Sequence, residues 1–432
     1  MPIRLDARAE DFERRFVELL SMKREVSLDV EQTVRDIVND VRARGDDALV
    51  ELSQKFDQID LRAHGIKVSA SDLDEAVKKT DPKVVEALEF AAKRIKDHHG
   101  RHKPASETYI DELGVELGQR WTPVDAAGLY VPGGTAAYPS SVLMNAIPAK
   151  VAGVERLAMV VPMPGGEINP AVLAAAKIAG VDEIYRVGGA QAVAALAYGT
   201  DTIAPVSVIV GPGNAYVAAA KRHVYGAVGI DMIAGPSEVL IVADRHNSPD
   251  WIAIDLLAQA EHDVSAQSIL ITDDEAFAER VVEAVEAHLG TLSREKIARQ
   301  SWDEFGAIIL VASLEDAVPL CNRLAAEHLE IATEEPDALA EQITNAGAIF
   351  LGRYTPEVIG DYVAGTNHVL PTARSARFSS ALGVTDFMKR TSLLKCSAES
   401  LRALAPAAVA LGEAEGLTAH ARSAAIRLNQ DD

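Results

Sequence analysis

Short, mostly apolar runs alternate with helical segments over most of the chain. The runs lie at 157–162, 184–187, 206–210, 239–243, 268–272, 307–311 and 348–351. Strands that are apolar at nearly every position are buried on both faces, as in a parallel sheet that helices cover above and below. The alternation therefore predicts an α/β fold built on parallel sheets.

The first 110 residues have a different pattern, with helical periodicity and many charged positions. Valines spaced three or four positions apart between 30 and 41 place one apolar stripe on a helix. Asp81, Pro82 and Gly100 are the residue types that begin and end a second long helix. These features predict a mainly helical N-terminal region.

The composition of the sequence changes near Trp121, from charged helical segments before it to the apolar runs after it. We predict two α/β domains, one of them discontinuous, with helical pieces at both ends of the chain. The predicted segments are an N-terminal helical arm at 1–25, a first α/β domain at 26–129 and 239–380, a second α/β domain at 130–238, and a C-terminal helical lobe at 381–432.

Length and charge narrow the class of protein. The 432 residues suggest two or three domains, and a hydrophobic content of 48% supplies a large core. With 42 basic and 64 acidic residues the net charge is −22, which repels nucleic acid and anionic lipid but suits a cationic small molecule. We therefore expect a small-molecule substrate, no nucleic-acid partner and no membrane partner.

The two cysteines, Cys321 and Cys396, are far apart and form no CxxC pair. A disulfide framework and a thiolate metal site are therefore disfavoured, and a reducing, cytoplasmic location fits best. Cys321 lies on the apolar side of a predicted helix, which favours a buried thiol over a catalytic one. The charged N-terminus lacks the apolar segment of a signal peptide.

Three glycine-rich turns follow predicted strands, at 130–134, 188–191 and 211–214. Glycine lets backbone N–H groups approach a phosphate at the start of a helix. The last turn misses the G-x-G-x-x-G fingerprint, because Tyr216 takes the place of the third glycine and Pro212 lacks an N–H. A nucleotide site and a plain strand-to-helix turn are both compatible with these glycines.

Polar residues in apolar surroundings suggest a metal site. Gln259 and His262 are three positions apart, so they share one face of a predicted helix and could hold one ion. Asp361 and His420 lie in two further polar runs. Imidazole and carboxylate ligands without a thiolate suit zinc or a similar cation. Satisfied core residues or helix caps are the alternative interpretation.

Glu327 and His328 form an adjacent acid–base pair where a predicted helix meets a strand. Adjacent side chains diverge in either element, so the two could serve separate proton transfers at one site. A glutamate and a histidine that interact with the dipole of a helix end explain the pair equally well.

Taken together, these motifs resemble the histidinol dehydrogenase family from about residue 25 to the C-terminus. The runs that carry the resemblance are GLYVPGG at 128–134, GGAQ at 188–191, GPGNAY at 211–216, DMIAGPSE at 231–238, QAEH at 259–262, AEHLE at 326–330, GDYVAGTNHVLPT at 360–372 and EGLTAH at 415–420. A set of long, collinear motifs is far more specific than any one glycine-rich loop.

The resemblance implies two incomplete Rossmann-like domains, related to the aldehyde dehydrogenase fold, in a homodimer whose active sites are completed by the partner's C-terminal lobe. It implies one zinc ion per chain, held by Gln259, His262, Asp361 and His420. It implies NAD contacts from Tyr130, Gln191 and Asn214. It implies substrate contacts from Ser237, Gln259, His262, His328, Asp361, Glu415 and His420.

The activity implied by the resemblance is NAD-dependent oxidation of L-histidinol through L-histidinal to L-histidine, the last steps of histidine biosynthesis, with Glu327 and His328 as the acid–base pair. An enzyme of the same fold that oxidises another primary alcohol is one alternative. A zinc hydrolase with Glu327 as the base is another, although a hydrolase has no use for the glycine-rich turns. A non-catalytic binding protein would leave these polar groups without a purpose.

Overall fold

The computed structural model describes residues 1–22, 28–133 and 138–429. Its strands are β1 (Ile3–Asp6), β2 (Glu107–Ile110), β3 (Glu116–Pro123), β4 (Ala126–Tyr130), β5 (Arg156–Val160), β6 (Glu183–Tyr185), β7 (Val208–Val210), β8 (Gly229–Ile230), β9 (Glu238–Ala243), β10 (Gln267–Thr272), β11 (Ala307–Leu310), β12 (His328–Ala332), β13 (Ala348–Leu351) and β14 (Met388–Lys395).

The helices carry the amphipathic and Ala-rich segments of the sequence. They are α1 (Phe12–Ser21), α2 (Leu28–Arg44), α3 (Asp46–Phe56), α4 (Leu61–His64), α5 (Ala70–Lys79), α6 (Pro82–Gly100), α7 (Pro139–Ala152), α8 (Pro170–Ala179), α9 (Gly189–Tyr198), α10 (Ala215–Val224), α11 (Pro249–Ala260), α12 (Glu275–Leu289), α13 (Glu295–Phe305), α14 (Ala317–Leu324), α15 (Pro336–Ala340), α16 (Glu357–Tyr362), α17 (Ala398–Ala414) and α18 (Thr418–Ala425). None of the helices in the described ranges is long and apolar enough to cross a membrane.

Two parallel sheets form the centre of the molecule. A six-stranded sheet has the order β1-β11-β10-β9-β12-β13, and a five-stranded sheet has the order β6-β5-β4-β7-β8. The central strands β9, β10, β12 and β4 are buried at every position. The predicted α/β fold with parallel sheets is therefore confirmed.

A third, antiparallel sheet with the order β14-β3-β2 lies outside the sequence prediction. The segment 381–432 is predicted to be helical, but its residues Met388–Lys395 form a strand that pairs with β3 along its whole length. That strand is half-buried or exposed at every position and has no apolar run. Only its pairing with β3, more than 260 positions away, reveals it as a strand.

The division into domains also differs from the prediction. Residues 26–129 are predicted to belong with 239–380, yet Val34, Val38 and Ile95 share one hydrophobic core with Ile209 of the five-stranded sheet. In the predicted N-terminal arm at 1–25, β1 instead pairs with β11 at the edge of the six-stranded sheet, and residues 23–25 lie outside the described ranges. An amphipathic stripe requires a covering surface but does not specify which sheet provides it.

The two parallel sheets meet the central cavity at opposite strand ends. The turn that starts at Gly211 follows the carboxyl end of β7, whereas Ser237 and Glu327 directly precede the amino ends of β9 and β12. Ligands of open α/β sheets usually bind outside the carboxyl ends of the strands. Here the five-stranded sheet follows that rule, and the six-stranded sheet contributes the first residues of its strands instead.

Candidate active site

One cavity of about 670 Å³ collects most of the predicted site residues. Those that line it are Asn214, Ser237, Gln259, His262, Glu327, His328 and Asp361. They come from five separate stretches of the chain, and both parallel sheets contribute to the wall. The arrangement brings polar groups with different chemistry to one concave surface, as expected of an active site.

The predicted metal ligands of this chain approach from two helices. Gln259 lies in the last turn of α11, and His262 follows the helix end, where its N–H donates to the Gln259 carbonyl oxygen at 3.1 Å. Asp361 lies on α16. Within the described residues, Nε2 of the Gln259 side chain is buried without a hydrogen-bond partner. No hydrogen bond therefore fixes this amide through its nitrogen, and its oxygen is the atom that could bind a metal ion.

The charge states of these side chains also suit a cation. His262 is open to the solvent of the cavity, yet the surrounding protein atoms desolvate its ring and lower its pKa, so the imidazole is neutral near pH 7. Desolvation acts to raise the pKa of Asp361, but contact with His328 outweighs it and the pKa is lowered. A neutral imidazole and an ionised carboxylate are the forms that bind metal.

His328 is the first residue of β12, and its ring is held from one side. Its Nδ1 lies 3.0 Å from the carbonyl oxygen of Glu238. A carbonyl oxygen only accepts hydrogen bonds, so Nδ1 carries a proton whether the ring is neutral or charged, and Nε2 is the nitrogen that gains or loses the second proton. Nε2 lies 3.4 Å from Asp361 Oδ1 and has no hydrogen-bond partner among the residues that the structure describes. His328 is therefore oriented to accept a proton at Nε2.

Carboxylates surround this imidazole. Burial alone would lower the pKa of His328, but Glu327, Glu357 and Asp361 together raise it well above its usual value. A higher pKa favours the charged ring, so His328 must release its Nε2 proton before it can take the proton of a substrate.

Glu327 is held by the same backbone unit. Its Oε2 accepts the N–H of Glu238 at 2.9 Å, while the carbonyl of Glu238 accepts from His328. Oε2 of Glu327 and Nδ1 of His328 are 3.7 Å apart, too far for a hydrogen bond. Burial raises the pKa of Glu327 to about 7, so this carboxyl can exchange protons near neutral pH.

Sequence reasoning missed Glu357, which is 1% exposed. Its Oε2 lies 3.6 Å from Nδ1 of His328, and burial raises its pKa to about 8. Its backbone N–H donates to Oε1 of Glu330 at 2.7 Å. The available signal was its position four residues before Asp361, which puts both carboxyls on one face of α16.

His368 supports the site from a loop. Its Nδ1 lies 3.0 Å from the carbonyl oxygen of Asp361, and its Nε2 lies 3.3 Å from the hydroxyl of Ser141 on α7. Burial lowers the pKa of His368, so its ring is neutral. This contact fixes the backbone that carries the Asp361 carboxylate.

Of the three predicted NAD residues, the structure places one in the lining of the cavity. Asn214 lines the cavity, and its side chain also caps α10 by accepting the N–H groups of Tyr216 and Val217 at 3.1 and 3.2 Å. Tyr130 and Gln191 are 4% and 2% exposed and are not among the residues that line the cavity. Gly134, the end of the first glycine-rich turn, falls outside the described residues.

Tyr130 has a structural contact that explains its burial. Its hydroxyl oxygen accepts the N–H of Gly189, which joins the turn after β4 to the turn after β6. Burial raises the pKa of Tyr130 to about 12, so the phenol is neutral. In this conformation the residue braces two of the glycine-rich turns.

Cys321 is a buried thiol, in agreement with the sequence interpretation. It is 2% exposed, and burial raises its pKa to about 12. A thiol that stays protonated at neutral pH is a poor nucleophile. Acyl chemistry on Cys321 is therefore excluded.

The C-terminal lobe does not complete the cavity of its own chain. Glu415 and His420 are exposed, and neither is among the residues that line the cavity. Helices α17 and α18 pack mainly against each other, and Leu411 and Ile426 of this lobe are 65% and 67% exposed. In the described part of the chain, no three His, Cys, Asp or Glu side chains are grouped to hold a metal. Of the predicted zinc ligands that line the cavity, only His262 and Asp361 are of these residue types.

Known proteins resemble this chain in both sequence and fold. The family model described as histidinol dehydrogenase matches residues 20–428. Relatives named histidinol dehydrogenase from Agrobacterium fabrum and Rhodopseudomonas palustris are each 66% identical over 431 and 430 residues, which cover 100% of both chains in each case. A crystal structure of histidinol dehydrogenase from Elizabethkingia anophelis superposes with a TM-score of 0.94 at 34% identity and covers 99% of this chain and 98% of that one.

Proposed function

The chain belongs to the histidinol dehydrogenase family of oxidoreductases, and we propose that it oxidises L-histidinol through L-histidinal to L-histidine with two NAD⁺ and one zinc ion per chain. The observation that carries the proposal is the shared cavity. Gln259, His262 and Asp361 face the same space as the Glu327–His328 pair and a glycine-rich turn. We further propose that the enzyme works in the cytoplasm in histidine biosynthesis.

The donor set fits zinc. An amide oxygen, an imidazole nitrogen and a carboxylate are hard to borderline ligands, and within the described chain no hydrogen bond to the Gln259 nitrogen fixes that amide in another orientation. The fourth ligand would be His420 of the partner subunit. When bound there, zinc would hold the amine and imidazole nitrogens of histidinol and would need no redox role.

NAD supplies the hydride acceptor when bound, and the turn at 211–214 is the part of this chain that supports its binding. The turn forms one wall of the cavity that contains His328, and Asn214 is the predicted residue exposed on it. Direct contacts from Tyr130 and Gln191 stay a prediction, because both side chains are buried and neither lines the cavity.

The chain's own residues account for the proton transfers. His328 takes the hydroxyl proton at Nε2 as hydride leaves the alcohol carbon, with Nδ1 anchored on Glu238. The aldehyde must then gain water before a second hydride can leave. Glu327, whose pKa is about 7, takes a proton from that water. Substrate contacts from Ser237, and from Glu415 of the partner subunit, complete the proposed site.

Substrate identity can be tested directly. We expect purified enzyme to form NADH with L-histidinol far faster than with a panel of other amino alcohols, because only histidinol offers both an amine and an imidazole to the metal. Chelation should abolish the rate, and added zinc should restore it. A faster rate with another alcohol would support the alternative dehydrogenase, and release of a hydrolysis product without NADH would support the zinc hydrolase.

The roles of Glu327 and His328 can be separated by supplying each substrate. We expect Glu327→Gln to slow oxidation of histidinal more than oxidation of histidinol, and His328→Asn to do the reverse, each by roughly 100-fold or more for a lost general base. Histidinal oxidation by the unmodified enzyme should fall as the pH drops below about 7, because Glu327 becomes protonated there. Equal losses in both half-reactions for both variants would show that the pair acts as one unit.

A further inference from the structure

A buried ion pair lies beneath the glycine-rich turn of the cavity. Lys221 on α10 pairs with Asp231, which follows β8, and their side chains are 2% and 1% exposed. Neither takes part in the proton transfers proposed above.

The pair holds both backbone polar groups of Gly211. Nζ of Lys221 donates to the Gly211 carbonyl oxygen at 3.0 Å, and Oδ2 of Asp231 accepts the Gly211 N–H at 2.8 Å. The other oxygen of Asp231 accepts the N–H of Met232 at 2.6 Å. The two side chains therefore form a clamp on one residue of the turn.

Gly211 is a tightly constrained position of the turn. Its φ is +111°, and a Cβ at this position would lie 2.1 Å from the carbonyl oxygen of Tyr130. Only glycine fits so close to another backbone in this conformation. A clamp at Gly211 therefore fixes the path of the chain after β7. The next residues on that path, Pro212, Gly213 and Asn214, line the cavity.

Stability alone is a weak reason for this arrangement. Removing two charges from water costs free energy that their attraction only partly returns, and apolar residues of similar size often stabilise a protein at least as well. What an ion pair provides that an apolar pair cannot is directional hydrogen bonding to the turn. That function matters only if the exact path of the turn matters.

We infer that Lys221 and Asp231 are positioning residues that hold the turn at 211–214 in its NAD-binding conformation. The inference rests on the proposed function, because it assumes that this turn contacts NAD. Without the clamp the turn samples other paths, and the apparent affinity for NAD falls in proportion to the fraction of molecules that keep the competent one.

The test combines Lys221→Met with Asp231→Asn in one chain. Removing both charges avoids leaving one buried and unpaired, which is the costly change. We expect the KM for NAD⁺ and the dissociation constant for NADH, followed by NADH fluorescence, to rise roughly tenfold, as for a competent fraction of about one tenth. The KM for histidinol and the zinc content should stay within about twofold of the unmodified enzyme.

Arg156→Met is the matched control. Arg156 pairs with Glu183 at 3.0 Å near the opposite, amino-terminal edge of the same sheet, away from the cavity. This variant should lose a more exposed ion pair of the same sheet, with side chains 28% and 23% exposed, without a change in the KM for NAD⁺. If it raised that KM as much as the double variant, general loosening of the sheet would replace the clamp as the explanation.

The outcomes separate the inference from the proposed function. If the unmodified enzyme neither binds NADH nor reduces NAD⁺, the proposed function fails. If it does both, and the double variant keeps its KM for NAD⁺ while its melting temperature falls, the pair is merely structural and the inference is overturned. Should the double variant fail to fold, Lys221→Gln combined with Asp231→Asn decides by the same criterion, since this pair leaves no buried charge and keeps polar groups facing each other.

Discussion

Replacing His262 with asparagine is expected to remove both the zinc and the oxidation of histidinol. Asparagine keeps polarity but cannot place a nitrogen ligand where the imidazole reaches. The proposed zinc site would then keep only Gln259 and Asp361 from this subunit. Loss of a supporting partner alone costs 10- to 100-fold in metal affinity or activity. For a direct ligand we expect activity to fall by more than about 100-fold and the zinc content to fall from about one per chain towards zero.

Elemental analysis and the NADH rate, measured on the same preparation, check this result. His246→Asn is the control, because His246 is exposed and lies outside the site cavity. It should keep both metal and rate. A folded His262→Asn protein that retains one zinc per chain and the full rate would refute the proposed ligand set.

Mixing two inactive variants, His328→Asn and His420→Asn, is expected to restore about a quarter of the unmodified activity. The proposed dimer builds each site from the body of one subunit and the lobe of the other. Free exchange makes half of the dimers mixed, and each mixed dimer has one site with both histidines intact and one with neither. The exposed lobe, with His420 outside the cavity of its own chain, motivates this expectation.

The matched control mixes His328→Asn with Glu327→Gln. Both substitutions lie in the body of the subunit, so no combination of chains yields an intact site, and no activity should return. Exchange must be shown independently, for example with differently tagged subunits. Absence of recovery with His420→Asn, despite demonstrated exchange, would mean that His420 serves its own chain.

Much of the secondary structure could be predicted from the sequence, because it depends on short-range signals. The helix predicted from Asp81, Pro82 and Gly100 is present as Pro82–Gly100, with the Asp81 carboxylate accepting the N–H of Lys83. The apolar run at 239–243 is strand Glu238–Ala243, buried throughout. Caps and apolar runs act within a few residues, so the sequence displays them directly.

Pairing over long distances was not predictable in the same way. Strand Met388–Lys395 has no apolar pattern of its own and exists because it pairs with Glu116–Pro123. The sequence shows which face of each helix in 28–100 is apolar but not which sheet that face packs against. In the structure these helices pack against the five-stranded sheet. The domain boundaries predicted from the sequence miss this for that reason.

The candidate site likewise has residues that the sequence predicts and an arrangement that only the fold determines. Motifs that resemble the histidinol dehydrogenase family named Gln259, His262, Asp361 and the Glu327–His328 pair, since residue types and short spacings are written in the sequence. Only the tertiary structure could show that these stretches share one cavity, that Glu357 stands against His328, and which predicted groups do not line that cavity. Those facts depend on how two sheets and a lobe pack, and packing joins positions that no local pattern connects.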